Sequence, residues 1–333
     1  MTAPERVPAS APAAGAGIEV LTVGRVGVDL YPQQSGVPLD RVESFARSLG
    51  GTATNVAVAA ARLGRRSAVL TKVGPDPFGT FVRTALADFG VDPAWVATHE
   101  RLLTPVVFCA LDPPEDPPLL FYRLPVAPDL TLTDEDVPWD LVRDVPVLWV
   151  TGTGVSTEPS RGTHRRMLAV RGRRTHTVLD LDYRPMFWPD RETAARRIGE
   201  LVDEATVVVG NRTEVEVAVG TADPDEAARR LLDRGVRLVL VKKGADGVLV
   251  ATPDGSATVT PRRVEVVCGL GAGDAFGGAL VHGLLAGWEP TRIAEYANAA
   301  GALVAGRLAC ADAMPTDAEI EKLVNHPMLE TRT

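Results

Sequence analysis

The sequence predicts an α/β fold, with a mostly parallel central sheet, helices on both faces and a small second β-sheet set against it. Three observations lead there. Strand-like and helix-like patterns alternate from Val145 to Lys242, and that rhythm is the mark of parallel strands joined by helical crossovers. Two glycine-rich turns, at Gly50-Gly51 and at Gly269 to Gly273, each open a helical pattern. Two runs rich in Val, Leu and Phe, Thr104 to Leu111 and Leu119 to Leu124, flank a proline-stiffened connection and read as a hairpin outside the alternation.

Taken in order, Ile18 to Gly24 has the unbroken apolar character of a buried strand. Gly24, Gly27 and Asp29 follow, but the spacing is not GxGxxG and no helical pattern comes next, so dinucleotide binding is not indicated. Tyr31 to Leu39 is an excursion rich in Pro, Gln and Gly. Gly50-Gly51 then opens an alanine-rich helix that Gly64 ends in the C′ position. So many alanines let a neighbouring element approach closely. Ser67 to Val73 is a strand, and Gly74 to Gly79 turns into a helix through Leu86. The hairpin, with the segment 28–50, is expected to form the small sheet as a lid (segments about 28–50 and 102–126).

The alternation proper follows. Strands are predicted at Val145 to Thr151, His176 to Asp182, Ala205 to Gly210 and Val236 to Lys242. Helices are predicted at Arg161 to Arg171, Arg191 to Val202, Asn211 to Val217 and Asp225 to Arg234. Folds of this kind bind ligands beyond the carboxyl ends of the strands. Asp182, Arg184, Asn211, Glu214, Lys243 and Gly244 are candidates on that ground. The β-branched run Val264 to Val267 reads as a strand entering the second glycine turn. Helices are expected from Ala275 to Leu285 and from Arg292 to Leu308, the latter with a small-residue interior. There is no internal repeat and no boundary to a second independent domain.

Composition narrows the class. A hydrophobic fraction of 45% and a mean hydropathy of +0.05 fit a soluble protein with a sizeable core. No apolar run reaches the ~18 residues of a membrane span, so no membrane partner is expected. Met1 to Gly17 is rich in Ala and Pro and lacks the basic and apolar regions of a signal peptide, so it reads as a disordered tail. One domain is expected over 18–325, with a C-terminal tail at 326–333. Cys109, Cys268 and Cys310 lie far apart without a CxxC, which suits a reducing cytoplasm and indicates neither disulfides nor zinc. A net charge of −8 argues against a nucleic-acid partner; a homo-oligomer stays open. An acidic protein that handles anions must gather its cations locally.

The chemistry concentrates at Val267 to Gly278. Three glycines within five residues precede an acid and a helix. A helix amino terminus presents unpaired N–H groups and a positive dipole end, which suit an anion. Asp274 would repel that anion, so it needs another reason to be there. N-capping is one. A base that takes a proton from a hydroxyl, while the amides hold a phosphoryl group, is the other. Asn55, in the first turn of its helix, caps or hydrogen-bonds a substrate hydroxyl. The chain has no GxxxxGK[ST], and no Lys follows a Gly, so a Walker-type phosphate site is excluded.

Three motifs together carry a resemblance. Gly50-Gly51-Thr52-Ala53-Thr54-Asn55 with its alanine-rich helix resembles the amino-terminal signature of the ribokinase-like, or PfkB, carbohydrate kinases. Gly271-Ala272-Gly273-Asp274-Ala275-Phe276 resembles their carboxy-terminal signature, and Asn211-Arg212-Thr213-Glu214 their NxxE motif. The resemblance covers roughly 18–325 and implies a ribokinase-like fold. Further segments are similar to the branch of the family that phosphorylates keto-sugar acids in inositol breakdown: Leu179 to Trp188, Leu120 to Arg123, Gly269 to Asp274 and Cys310 to Pro315.

The resemblance implies roles residue by residue. Asp274 would be the base, and the amides of Gly271, Ala272 and Gly273 the anion hole. Asp29, Gly51 and Asn55 would hold sugar hydroxyls, with Arg123 and Arg184 as the cations of a keto-sugar-acid site. Asn211 and Glu214 would organise Mg2+ and the ATP phosphates through water. Lys243, Gly244 and Gly247 match a loop near the nucleotide, and Asn298 and Ala302 the adenine side. An unpaired buried guanidinium at Arg123 would be costly, so Arg123 favours an acidic substrate over a neutral one. One departure stands out. Many family members have an acid just before this glycine turn that helps to bind a monovalent cation; here the position is Cys268, and a neutral thiol is a poor potassium ligand.

Overall fold

The computed structural model describes residues 17–325 except Ser35, Glu115, Asp116 and Arg263; the expected tails, Gly17 apart, lie outside the described residues. Strand β1 (Val20–Val23) runs straight into β2 (Gly27–Pro32), which pairs with β3 (Phe45–Gly50). Helix α1 (Thr52–Arg62), β4 (Ser67–Val73), α2 (Pro77–Asp88) and the short β5 (Val96–Thr98) follow. The hairpin is β6 (Val106–Cys109) and β7 (Leu119–Tyr122). Next come α3 (Trp139–Asp144), β8 (Val147–Thr151), α4 (Ser160–Arg171), β9 (His176–Asp180) and α5 (Arg191–Val202). The chain continues through β10 (Val207–Asn211), α6 (Arg212–Val219), α7 (Pro224–Asp233) and β11 (Leu238–Lys242). It ends with β12 (Val248–Thr252), β13 (Gly255–Val259), α8 (Ala272–Leu285), α9 (Pro290–Ala305) and α10 (Asp317–Asn325).

Nine strands form the main sheet in the order β13-β12-β11-β10-β9-β8-β1-β4-β5. All pairings are parallel except β11–β12 and β12–β13. Its two edges are three-residue β5 and the largely exposed Gly-Ser-Ala-Thr-Val of β13. A second sheet of four strands, β3-β2-β6-β7, stands over the carboxyl end of the first. The hairpin therefore joins the segment 28–50 in one small sheet.

Pleating explains the unbroken apolar runs. Alternate residues of a strand point to opposite faces, and both faces are covered. Val147 and Trp149 of β8 lie in the core with α1, α8 and α9, while Leu148 and Val150 lie in the core with α4, α5 and α7. Side-chain caps define several helix starts: Asp76, Asp190 and Asp223 accept from the first-turn amides of α2, α5 and α7.

Two glycines mark where the chain leaves the main sheet and comes back. Gly24, at φ +149°, turns β1 upward against Thr151; Gly51, at φ +100°, returns β3 into α1 across the Arg25 carbonyl. Both are conformations that side chains rarely adopt.

One predicted strand is absent. Val264 to Val267 pairs with no strand; the amides of Val267 and Cys268 donate instead to the Ala305 carbonyl at the end of α9, at 2.8 and 3.1 Å. Edge strand β13 ends at Val259, and the chain has already left the sheet. The β-branched residues supply a propensity that tertiary context overrides.

Helices α1 and α8 meet at small residues. A methyl group built on Gly278 would lie 2.2 Å from the Ala59 Cβ, and one on Gly277 2.7 Å from the Trp149 ring. Substituting Gly278→Ala is expected to lower unfolding free energy by about 1–3 kcal/mol through overpacking, measured by urea denaturation; wild-type stability would contradict so close a contact.

Candidate active site

Under the small sheet, at the carboxyl ends of the parallel strands, lies a cleft. Its floor is set by α8. Gly271, at φ +79°, is the N-cap, and the helix begins at Ala272. A Cβ on Gly271 would press on Cys310 at about 3.0–3.1 Å. Asp274 is thus the third residue of the helix. It makes no capping bond; its Oδ2 accepts from Asn55 Nδ2 at 2.7 Å. The amides of Gly271, Ala272 and Gly273 open on the same end of the helix, where no intrahelical acceptor reaches them.

Asn55 is 2% exposed, and its Oδ1 has no partner. Gly51 precedes it at the start of α1 and also lines the cleft. Burial pushes the Asp274 carboxyl up to about 6, against the Asn55 hydrogen bond, which lowers it.

Asp182 anchors the rest of the floor. It sits beyond β9 at φ +33°, accepts from Arg25 Nη2 at 2.9 Å and from the Thr153 hydroxyl at 2.7 Å, and lies 3.4 Å from Arg184. Burial alone would raise this carboxyl, but Arg25, Arg184 and these hydrogen bonds hold it below the ordinary aspartate range. Arg25 and Asp182 are both buried, so each is the other's compensation.

The small sheet supplies the roof. Asp29 lies over Gly50, where any side chain would collide at 2.1 Å. Burial raises Asp29 to about 7 despite Arg25. Arg123 follows β7 and is buried, but it is not the unpaired guanidinium that was expected. Its Nη2 donates to both oxygens of Asp129 at 2.8 and 3.0 Å, leaving Nε without a partner. The Phe187 ring lies against both buried arginines, 5.5 Å from the Arg25 guanidinium and 5.2 Å from that of Arg123.

The structure thus brings Asp29, Gly51, Asn55, Arg123, Arg184, Glu214, Gly271, Gly273 and Asp274 onto one cleft. Asn211 lies at its edge, in a capping box: its Oδ1 accepts from the Glu214 amide at 2.9 Å, and Glu214 Oε2 accepts from the Asn211 amide at 2.7 Å. Asn211, Lys243, Gly244, Gly247, Asn298 and Ala302 do not line the cleft. Lys243 donates to Thr258 and half-buried Asn298 to the Thr260 carbonyl, placing both beside the β13 end of the sheet.

Sequence reasoning missed Arg25, Thr52, Asp180 and Lys242, all of which line the cleft. Strand period was the available signal. Leu238 and Leu240 face the α8 side, so Lys242, two residues on, shares that side and Lys243 does not. The expected local gathering of cations is present but outnumbered: Arg25, Arg123, Arg184 and Lys242 share the cleft with Asp29, Asp180, Asp182, Glu214 and Asp274. Among the described residues no cluster of three His, Cys, Asp or Glu could hold a metal, and no helix is long and apolar enough to cross a membrane.

Known structures define the class. The fold matches fructokinase from Vibrio cholerae O395, bound to fructose, ADP and calcium, with a TM-score of 0.81 and 28% identity, over 93% of this chain and 99% of that one. It also matches a putative ribokinase II from E. coli in complex with ATP and magnesium, with a TM-score of 0.83 and 22% identity, over 92% and 99%. This is a ribokinase-like fold. Residues 18–317 match the pfkB family of carbohydrate kinases, and the chain belongs to that family: it is a carbohydrate kinase. Among curated relatives, 5-dehydro-2-deoxygluconokinase of Geobacillus thermodenitrificans (strain NG80-2) is 31% identical over 318 residues, covering 93% of this chain and 94% of the relative. The same-named protein of Clostridium tetani is 30% identical over 317 residues, covering 92% and 93%.

Replacing Arg25→Ala would strand the buried Asp182 carboxylate. A loss of about 3–5 kcal/mol is expected near neutral pH, read by chemical denaturation. In the wild type this contribution is complete at neutral pH and fades only as pH falls through the depressed Asp182 value; a loss below about 1 kcal/mol would refute the pair's structural role.

Proposed function

We propose that the protein transfers the γ-phosphoryl group of ATP to the 6-hydroxyl of 5-dehydro-2-deoxy-D-gluconate. One observation carries the proposal: the Asp274 carboxylate is held by Asn55 at the mouth of a helix whose first amides have no acceptor among the described residues. That geometry suits a base beside an anion hole. The identity of the sugar acid is supported by the names of the curated relatives, which align over most of both chains.

In the proposed reaction the sugar lies between roof and floor. Asp29 and the unpartnered Asn55 Oδ1 accept from its hydroxyls, and Gly51 leaves room for it. Asp274 takes the proton as the 6-oxygen attacks phosphorus, and the bond to the β-phosphate oxygen breaks. The amides of 271–273 hold the phosphoryl oxygens in flight. Arg184, more exposed than Arg123 and only loosely held by Asp182, is the better placed of the two to meet the sugar carboxylate; Arg123 offers its Nε. The nucleotide extends past Asn211 toward Lys243, Gly244 and Gly247, with Asn298 and Ala302 on the adenine side.

Magnesium fits only as a companion of the phosphates. The cleft wall offers the Glu214 carboxylate, and among the described residues there is no closed ligand set, which suits an ion that keeps its waters. When bound, it would neutralise phosphate charge. Potassium has less support. The Cys268 thiol is fully buried against Tyr31, Cys109 and Cys310, and burial raises its pKa, so it stays neutral.

The pairing of Arg123 with Asp129 leaves fructose as a second reading, since no buried cation there demands an acid. ADP release measured over ketoses and keto-sugar acids, with and without potassium, separates the two. The sugar acid should be preferred at least tenfold in kcat/KM and potassium should change little; preference for fructose would overturn the substrate. Asp274→Asn should lower kcat by roughly 10²–10⁴-fold while ATP binding persists.

Since Asp274 must be ionised to accept a proton, kcat/KM should rise with pH through about 6. The Asn55 hydrogen bond lowers that value, so Asn55→Ala should move the acid limb to higher pH. A limb that stays in place or moves down would contradict the coupling.

A further inference from the structure

Lys242 is the one cation of the cleft that the reading above leaves without a task. It ends β11 on the face of Leu238 and Leu240, which brings it out beneath the first turn of α8. A Cβ on Gly273 would lie 3.3 Å from Lys242 Nζ. Arg25, Arg123 and Arg184 each have an aspartate within 3.4 Å, whereas Lys242 has no carboxylate within 4.0 Å and no hydrogen-bond acceptor for Nζ among the described residues.

An ammonium half withdrawn from water without a partner is costly. Here it also stands beside amides that have no acceptor among the described residues, so both sets of donors face the same side of the helix. Burial works against its charge, but Glu214, Asp180 and Asp274 at longer range outweigh that and raise its pKa. An oxygen-rich anion at the helix terminus would satisfy the amides and the ammonium together. A carboxylate has two oxygens to offer; a phosphoryl group in transfer has three equatorial ones, with the charge spread over them.

We propose that Lys242 is a catalytic residue that donates to an oxygen of the phosphoryl group as it moves from ATP to the sugar. The bond from phosphorus to the β-phosphate oxygen breaks, the bond to the acceptor oxygen forms, the acceptor proton passes to Asp274, and Lys242 keeps its own proton throughout. This rests on the assignment of α8 as the transfer site.

The test uses Lys242→Met, Lys242→Cys and Asp274→Asn in the full-length chain. Lys242→Met should cut kcat by about 100-fold or more, while affinity for ADP, which lacks the group in question, stays within about threefold. Bromoethylamine converts Lys242→Cys to an amine of nearly the same length. That should restore activity at least tenfold, and the neutral reagent iodoacetamide should not. The native thiols are spared, being buried. A Met variant within threefold of wild-type kcat would overturn the proposal. So would a Cys variant whose activity the amine does not raise above that of the iodoacetamide adduct, a comparison that holds even if the Met variant fails to fold. Asp274→Asn separates the two ideas: if it stays active the base assignment falls whatever Lys242 does, and if it is dead while Lys242→Met is active, only the lysine assignment falls.

Discussion

The close crossing of α1 and α8 governs this molecule. Ala59 and Gly278 let the two backbones approach until no further carbon fits. That contact lies one helical turn beyond the chemistry on each helix, and it sets the distance between Asn55, in the first turn of one helix, and Asp274, in the first turn of the other. A bulkier pair would separate the helices and open a bond that needs tenths of an ångström. Both helices emerge from glycines with positive φ, Gly51 and Gly271, so their amino termini can face one cleft. Preorganised polar groups are effective because they need no rearrangement at the moment of reaction, and here tight packing supplies the preorganisation.

Electrostatics in the cleft follow from burial more than from count. The carboxylates outnumber the cations, but they are not equivalent. Asp182 is held ionised by its arginines, whereas burial raises Asp29 and Asp274 toward neutral pH and Asp180 well above its usual range. Neighbouring carboxyl groups with divergent proton affinities are a common property of catalytic sites. The acidity of the chain as a whole says little about such a site, because a few buried groups set its potential.

Much of the fold was legible because the signals were local. Alternation from Val145 to Lys242 gave the parallel sheet, and Ser67–Val73 and Arg191–Val202 are the predicted segments to the residue. The failure at Val264 to Val267 is physical: a strand needs a neighbour, and no sequence pattern says that the sheet has already ended. In the cleft, residues within the glycine turns were visible, as was Asp274. Arg25 was not, since its meaning comes from Asp182, 157 positions away. Arg123 was visible but misjudged, because its partner Asp129 carries no motif. Lys242 was hidden by its neighbour Lys243, and only strand parity distinguishes them.

The edges of the main sheet have a consequence for the life of the protein. Long parallel sheets form slowly, since their pairings join distant parts of the chain, and an unpaired edge is a template for other chains. Here one edge is three residues long and the other is a short, largely exposed hairpin strand of Gly, Ser, Ala and Thr. The valine-rich strands that would seed aggregation are all interior. Once β5 and β13 are in place, neither edge of the main sheet offers a long apolar strand for another molecule to copy.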